Sequence, residues 1–224
     1  MYHIKLGKTG MQVPTIAVGC MRIKNMNEKE ASAFVDTALE LGANFFDHAD
    51  IYGGGRSEEI FGKVVSPSMR ENILIQTKCG IRSGRYDFSY DHIVNAVDGS
   101  LKRLGTDYID VLLLHRPDAL MEPEEVARAF TYLKETGKVR HFGVSNQNPY
   151  QMQLLQNALD MPLCANQLQF GVMHTPMIQS GINVNMYNAS AVVRDSSVLD
   201  FCRLNEITIQ PWSPMQYGFF ECCF

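Results

Sequence analysis

No stretch of this 224-residue sequence approaches the ~20 consecutive apolar residues that span a bilayer, so no membrane partner is expected. The opening residues, Met1-Tyr2-His3-Ile4-Lys5, lack the apolar core of a secretory leader. Charge does not run in blocks, and a net charge of -4 gives no electrostatic ground for a nucleic-acid partner. The six cysteines, Cys20, Cys79, Cys164, Cys202, Cys222 and Cys223, show no CxxC or ribbon spacing. With no leader, they are expected to be reduced thiols of a cytoplasmic protein. No GxGxxG follows the first apolar run, so the dinucleotide fingerprint of an open Rossmann sheet is absent. There is no HxH pair either; His48 and Asp50, beside Asp47, are therefore not read as ligands, and no metal is expected.

What is present is a regular alternation of strand-like and helix-like segments. Residues 2–5 and 11–13 flank the turn signal Gly7-Lys8-Thr9-Gly10 and predict a hairpin. Strand-like runs follow at 16–19, 43–47, 72–77, 109–114, 139–144, 163–167 and 207–211. Between them, helical spacing predicts helices over 28–41 (N-cap Asn27, then Gly42), from Ser57 onward, and over 89–104, 123–136, 149–159 and 195–205. Glu58 and Glu59 suit the positive N-terminal end of the second helix. The stretch 171–190 interrupts the rhythm as a long polar loop.

Seven strands alternating with helices imply a parallel sheet. The run 109–114 is apolar at nearly every position, as a strand buried on both faces is. The fold expected is an α/β (β/α)8 TIM barrel with an N-terminal β-hairpin, forming a single domain over residues 1–224. Such barrels have eight strands and about 250 residues. The expectation is thus a chain that ends after strand seven, lacking strand eight and the final helices.

Four residues fall at or just beyond the C-terminal ends of these strands: Asp47, Tyr52, Lys78 and His115. In a parallel barrel that end carries the chemistry. A phenol, an ammonium, a carboxylate and an imidazole at one mouth can protonate an oxygen that is gaining negative charge, which suits carbonyl reduction. Lys78 is expected to lower the pKa of Tyr52, and Asp47 to keep Lys78 charged. The plainer alternative is a surface tyrosine, a structural Asp47–Lys78 ion pair and a satisfied histidine. Lys78 as a Schiff-base lysine is a further alternative, disfavoured by its acidic partner. Ser145 and Asn146 suit either an amide ligand or the cap of the next helix. Cys79 is expected to be a buried, inert thiol rather than a redox-sensitive one.

The motifs Phe46-Asp47-His48-Ala49-Asp50-Ile51-Tyr52-Gly53, Thr77-Lys78, Leu114-His115-Arg116, Gly143-Val144-Ser145-Asn146 and Asn166-Gln167 together resemble the aldo-keto reductases. So does Leu6-Gly7-Lys8-Thr9-Gly10 with Gly19. The wording of 171–190 and of Pro211-Trp212-Ser213-Pro214-Met215 is similar to that of bacterial members of unassigned substrate. The resemblance implies hydride transfer between NADPH, with NADH not excluded, and an aldehyde or ketone as small-molecule substrate. It implies that Tyr52 is the general acid, that Lys78 and Asp47 support it, and that His115 orients the substrate. It places Ser145, Asn146 and Gln167 at the nicotinamide carboxamide, Trp212 on the nicotinamide ring, and Ser213 and Met215 at the start of the pyrophosphate loop. Further phosphate contacts are expected after strand eight. The alternative function is a non-catalytic binding or regulatory protein, or an inactive fragment, on the same fold, since some family members are channel subunits.

Overall fold

The computed structural model describes residues 1–215; Cys222 and Cys223 lie outside them. The hairpin is β1 (His3–Lys5) and β2 (Gln12–Pro14), paired antiparallel. Then follow β3 (Val18–Gly19), α1 (Glu28–Glu40), β4 (Phe45–Asp47), α2 (Arg56–Val64), α3 (Pro67–Arg70) and β5 (Leu74–Cys79). A second small hairpin, β6 (Ile81–Arg82) and β7 (Arg85–Tyr86), precedes α4 (Tyr90–Leu104), β8 (Ile109–Leu114), α5 (Pro123–Glu135) and β9 (Val139–Ser145). The described chain continues through α6 (Pro149–Ala158), β10 (Leu163–Gln169), α7 (Pro176–Ile182), α8 (Val198–Leu204) and β11 (Thr208–Trp212). No helix among the described residues is long and apolar enough to cross a membrane.

The seven longer-range strands form one sheet in the order β3-β4-β5-β8-β9-β10-β11, and every pairing is parallel. The sheet is curled. Gln76 on β5 and Gln210 on β11 stand four places apart in that order, yet their side chains hydrogen-bond at 2.9 Å across the interior. This is the curvature of a (β/α)8 barrel.

Local signals account for the helix boundaries. Asn27 and Glu30 form a reciprocal capping box at the start of α1, and Gly42 follows its end with φ +76°. Asn148 and Gln151 do the same for α6. That displaces the alternative reading of Ser145 or Asn146 as the cap. The stretch 171–190 is not a plain loop: it holds α7 and a 3₁₀ turn at Ala189–Ala191. Pro176 at the first position of α7 is the signal that the sequence carries for it. The last helix begins at Val198, three residues later than the pattern predicts.

The bottom of the barrel is closed by the first hairpin. Leu6 and Val13 are buried against Phe45, Val111, Leu113, Cys164 and Ala165. Gly7 makes the approach possible: its φ is +50°, and a Cβ there would lie 2.5 Å from the Cys164 carbonyl oxygen. Its amide donates to Thr208 Oγ1 at 2.8 Å, tying the hairpin to β11.

At the N-terminal ends of the middle strands a buried carboxylate holds two elements to the sheet. Asp110 is sealed from solvent, accepts from Arg70 at 2.8 Å and from the Ile75 amide at 2.9 Å, and pairs with Arg140 at 2.9 Å. The Tyr108 ring lies between the two guanidiniums, 3.8 Å from Arg70 and 4.0 Å from Arg140. Arg70 is itself buried, so removing its carboxylate strands a charge in a dry site. Asp110→Ala is expected to destabilise the chain by about 3–5 kcal/mol. Arg140→Ala, at a half-exposed cation, is expected to cost under about 1 kcal/mol. Urea unfolding of both variants checks this, and equal midpoints would show that the buried pair carries no special weight.

Candidate active site

Alternation along β5 divides its residues between two environments. Ile75 and Thr77 face the helices; Gln76 and Lys78 face the barrel interior. Lys78 lies inside the strand rather than after it, and its side chain is fully buried. A sealed ammonium must be answered. Its Nζ donates to both Asp47 oxygens at 2.9 and 2.8 Å, to the His48 carbonyl at 2.7 Å and to Tyr52 Oη at 3.2 Å. Burial pulls the Lys78 pKa down, but Asp47 and then Tyr52 outweigh it, and the net direction is up. Lys78 therefore stays an ammonium.

Asp47, at the end of β4, receives more than Lys78. The side-chain amide of Gln76 donates to its Oδ1, as does that of Gln167 at 3.2 Å. Both amides also donate to Gln210 Oε1, at 2.9 and 3.3 Å. The three glutamines form a neutral belt from β5, β10 and β11 around the ion pair. Gln76 and Gln210 were not read from the sequence as site residues. Their signal is a polar residue two places before Lys78 and Trp212 respectively, on the same strand face.

Tyr52 stands in the loop after β4, where Gly53, Gly54 and Gly55 all have positive φ. The loop is zipped to β5 by His48 N–H to Gln76 O (2.8 Å) and Asp50 N–H to Lys78 O (3.0 Å). Lys78 lowers the phenol's pKa as expected, but the net direction differs from the expectation. Burial raises it, Lys78 pulls it back only in part, and the net direction is upward. Desolvation outweighs the Coulomb attraction of the ammonium. The His115 ring meets the Tyr52 ring edge-on, with centroids 6.0 Å apart and planes at 83°. Burial, then the charges of Lys78 and Arg116, hold His115 down to about 3, so it is neutral near pH 7. Asp47, Tyr52, Lys78 and His115 are thus brought together at one mouth.

Behind the Tyr52 loop lies a second buried charge. Glu58 is sealed, accepts from Thr77 Oγ1 at 2.6 Å, and pairs with Arg103 of α4 at 2.7 Å. Its role exceeds the helix-end complement read from the sequence, because it fastens α2 to β5 and α4. Asp50 is pushed up to about 7, by burial first and Glu58 second. His48 packs edge-on to Phe61 at 4.5 Å, and burial followed by Lys78 holds it down to about 3. The Cys79 thiol is raised well above its usual value by burial, as an inert thiol is.

The remaining predicted residues line the other side of the mouth. Ser145 Oγ donates to the Gln167 carbonyl at 3.0 Å, and Asn146 Nδ2 donates to Ser145 Oγ at 2.7 Å. Asn146 has φ +58° and accepts from Trp212 Nε1 at 3.0 Å. Trp212 is the last residue of β11 rather than the first of the loop beyond it. Ser213 follows with φ +49°, and Met215 is exposed. Gln167 Oε1 accepts from no described residue, while a fixed indole and neutral amide and hydroxyl groups are grouped beside it. A planar ring bearing a carboxamide fits that donor and acceptor set.

The arrangement offers a protonated phenol beside a permanent ammonium and a neutral imidazole, next to a flat aromatic seat. Comparisons with known proteins identify the family. The chain is 40% identical over 191 residues to Oxidoreductase YdhF of Escherichia coli (strain K12), an alignment covering 80% of this chain and 64% of that protein. It is 37% identical over 232 residues to the Uncharacterized oxidoreductase YcsN of Bacillus subtilis (strain 168), covering 97% of this chain and 72% of that one. The solved holo form of aldo-keto reductase AKR11C1 from Bacillus halodurans superposes with a TM-score of 0.79 at 26% identity, over 97% of this chain and 68% of that one. The Aldo/keto reductase family profile matches residues 15–222, and the chain belongs to that family of oxidoreductases.

Proposed function

We propose that this mouth reduces an aldehyde or ketone to the alcohol, with Tyr52 as proton donor. The observation that carries the reading is the Lys78 ammonium, bonded at once to Asp47 and to Tyr52 Oη. When bound, NADPH would supply the hydride. Trp212 offers it a stacking face, Ser145, Asn146 and Gln167 offer polar groups for its carboxamide, and Ser213 and Met215 begin the segment along its phosphates. NADPH rather than NADH follows the family's usual preference, and parallel titration of both, following Trp212 fluorescence, distinguishes them.

Each residue has a physical task. The raised pKa of Tyr52 keeps the phenol protonated across ordinary pH, as a donor must be. Lys78 stabilises the phenolate left after the proton moves to the developing alkoxide. Asp47 holds Lys78 in place and is itself held by Gln76 and Gln167. Neutral His115 can donate a hydrogen bond to the carbonyl oxygen as charge develops. The Schiff-base alternative needs a free amine, and Lys78 is an ammonium locked to Asp47. A purely binding role leaves the buried phenol–ammonium contact without a task.

Tyr52→Phe is expected to lower kcat for aldehyde reduction about 10²–10⁴-fold, with NADPH affinity nearly intact. Steady-state turnover with a calorimetric titration checks it, and near wild-type turnover with chemistry rate-limiting rules Tyr52 out.

The support of Lys78 is readable in pH. Reduction needs the protonated phenol, so its rate is full below the Tyr52 pKa and is lost as pH rises through it. Alcohol oxidation needs the phenolate and climbs over the same range. Because Lys78 pulls that pKa down, Lys78→Met is expected to move both limbs to higher pH and to slow both directions. Profiles of oxidation are the more accessible measurement. Limbs that stay in place in a variant with a native circular dichroism spectrum remove the electrostatic role.

A further inference from the structure

Arg116 immediately follows His115 at the mouth, and no task given above uses it. It is half-buried, and it makes no hydrogen bond or ion pair with any described residue. Its guanidinium carbon instead lies 5.8 Å from the centre of the Trp212 ring. Its charge is felt at the His115 imidazole. The other buried or half-buried cations near the mouth are answered: Lys78 by Asp47, and Arg103 by Glu58. Asp118, two residues on, accepts from the Phe88 and Leu120 amides and makes no ion pair with Arg116.

An arginine taken partly out of water without a carboxylate is costly unless something supplies one. At 5.8 Å the indole face attracts the guanidinium without engaging its N–H groups, which can grip a carboxylate with two parallel hydrogen bonds. The charges of the groups gathered at the mouth point the same way. Asp47 and Lys78 cancel, Tyr52 and His115 are neutral, and Arg116 remains.

We propose that Arg116 is a specificity-determining residue that binds an anionic group of the substrate, so that the preferred substrates are aldehydes or ketones carrying a carboxylate. This rests on the reading of the mouth as a carbonyl-reducing site and deepens it. Lysine at the same position keeps the charge but loses the flat two-toothed grip.

The test compares 4-carboxybenzaldehyde with benzaldehyde as substrates of the full chain. Wild type is expected to favour the carboxylate-bearing aldehyde in kcat/KM. In Arg116→Leu the ratio of the two kcat/KM values is expected to fall about 10- to 100-fold, with Arg116→Lys between. An unchanged ratio overturns the proposal. NADPH affinity that falls tenfold with the ratio unchanged also overturns it, and places the guanidinium on a cofactor phosphate. Benzoate binding, measured by calorimetry on the same proteins with thermal melts to establish folding, separates this from the underlying reading. A wild-type chain that reduces neither aldehyde defeats carbonyl reduction. Benzoate affinity that drops about tenfold in Arg116→Leu still supports the anion subsite, whereas benzoate affinity equal in both proteins removes it.

Discussion

A fully buried ammonium constrains this structure more than any other group. Lys78 has no access to solvent, so its charge must be answered inside the barrel. Asp47 answers it, and thereby buries a carboxylate whose remaining lone pairs need donors of their own. Gln76 and Gln167 supply them, and Gln210 receives their second hydrogens. One charge thus organises a polar layer drawn from β4, β5, β10 and β11. That layer is both a crosslink across the barrel and the floor of the mouth, so geometry for chemistry and cohesion of the sheet rest on the same contacts. Losing one partner of such a pair typically costs about 3–5 kcal/mol.

The two faces of β5 carry two separate buried charges. Inside, Lys78 meets Asp47; outside, Thr77 meets Glu58, which meets Arg103. The loop bearing Tyr52 runs between these anchors and bonds to the β5 backbone through His48 and Asp50. The three glycines with positive φ let it turn sharply into α2. The phenol thus sits on a loop that backbone hydrogen bonds tie to the sheet.

Much of this was legible in the sequence because periodicity reports directly on which side of an element is apolar. The seven strand runs, the caps at Asn27 and Gly42 and the gathering of Asp47, Tyr52, Lys78 and His115 at successive strand ends all follow from that pattern. The short hairpin β6–β7 escaped because its two-residue strands are largely exposed and carry no alternation. Gln76 and Gln210 escaped because a polar residue in an apolar run signals only that it needs a partner, and the partner lies four strands away. The direction of the Tyr52 pKa escaped for a different reason. Proximity to Lys78 could be inferred from strand order, but the depth of burial that outweighs it depends on three-dimensional packing.

The contact between Gly7 and Thr208 joins residues 201 positions apart in the chain. The hairpin is thus made well before Thr208, the residue it is tied to. At ribosomal speeds the wait between the two lasts about 10–40 s. For most of it, the surface formed by Leu6 and Val13 has no β10 to cover it. Three-residue strands with Lys5 and Lys8 beside them make a poor template for pairing with another chain. The brevity and charge of the plug disfavour such pairing before the barrel closes.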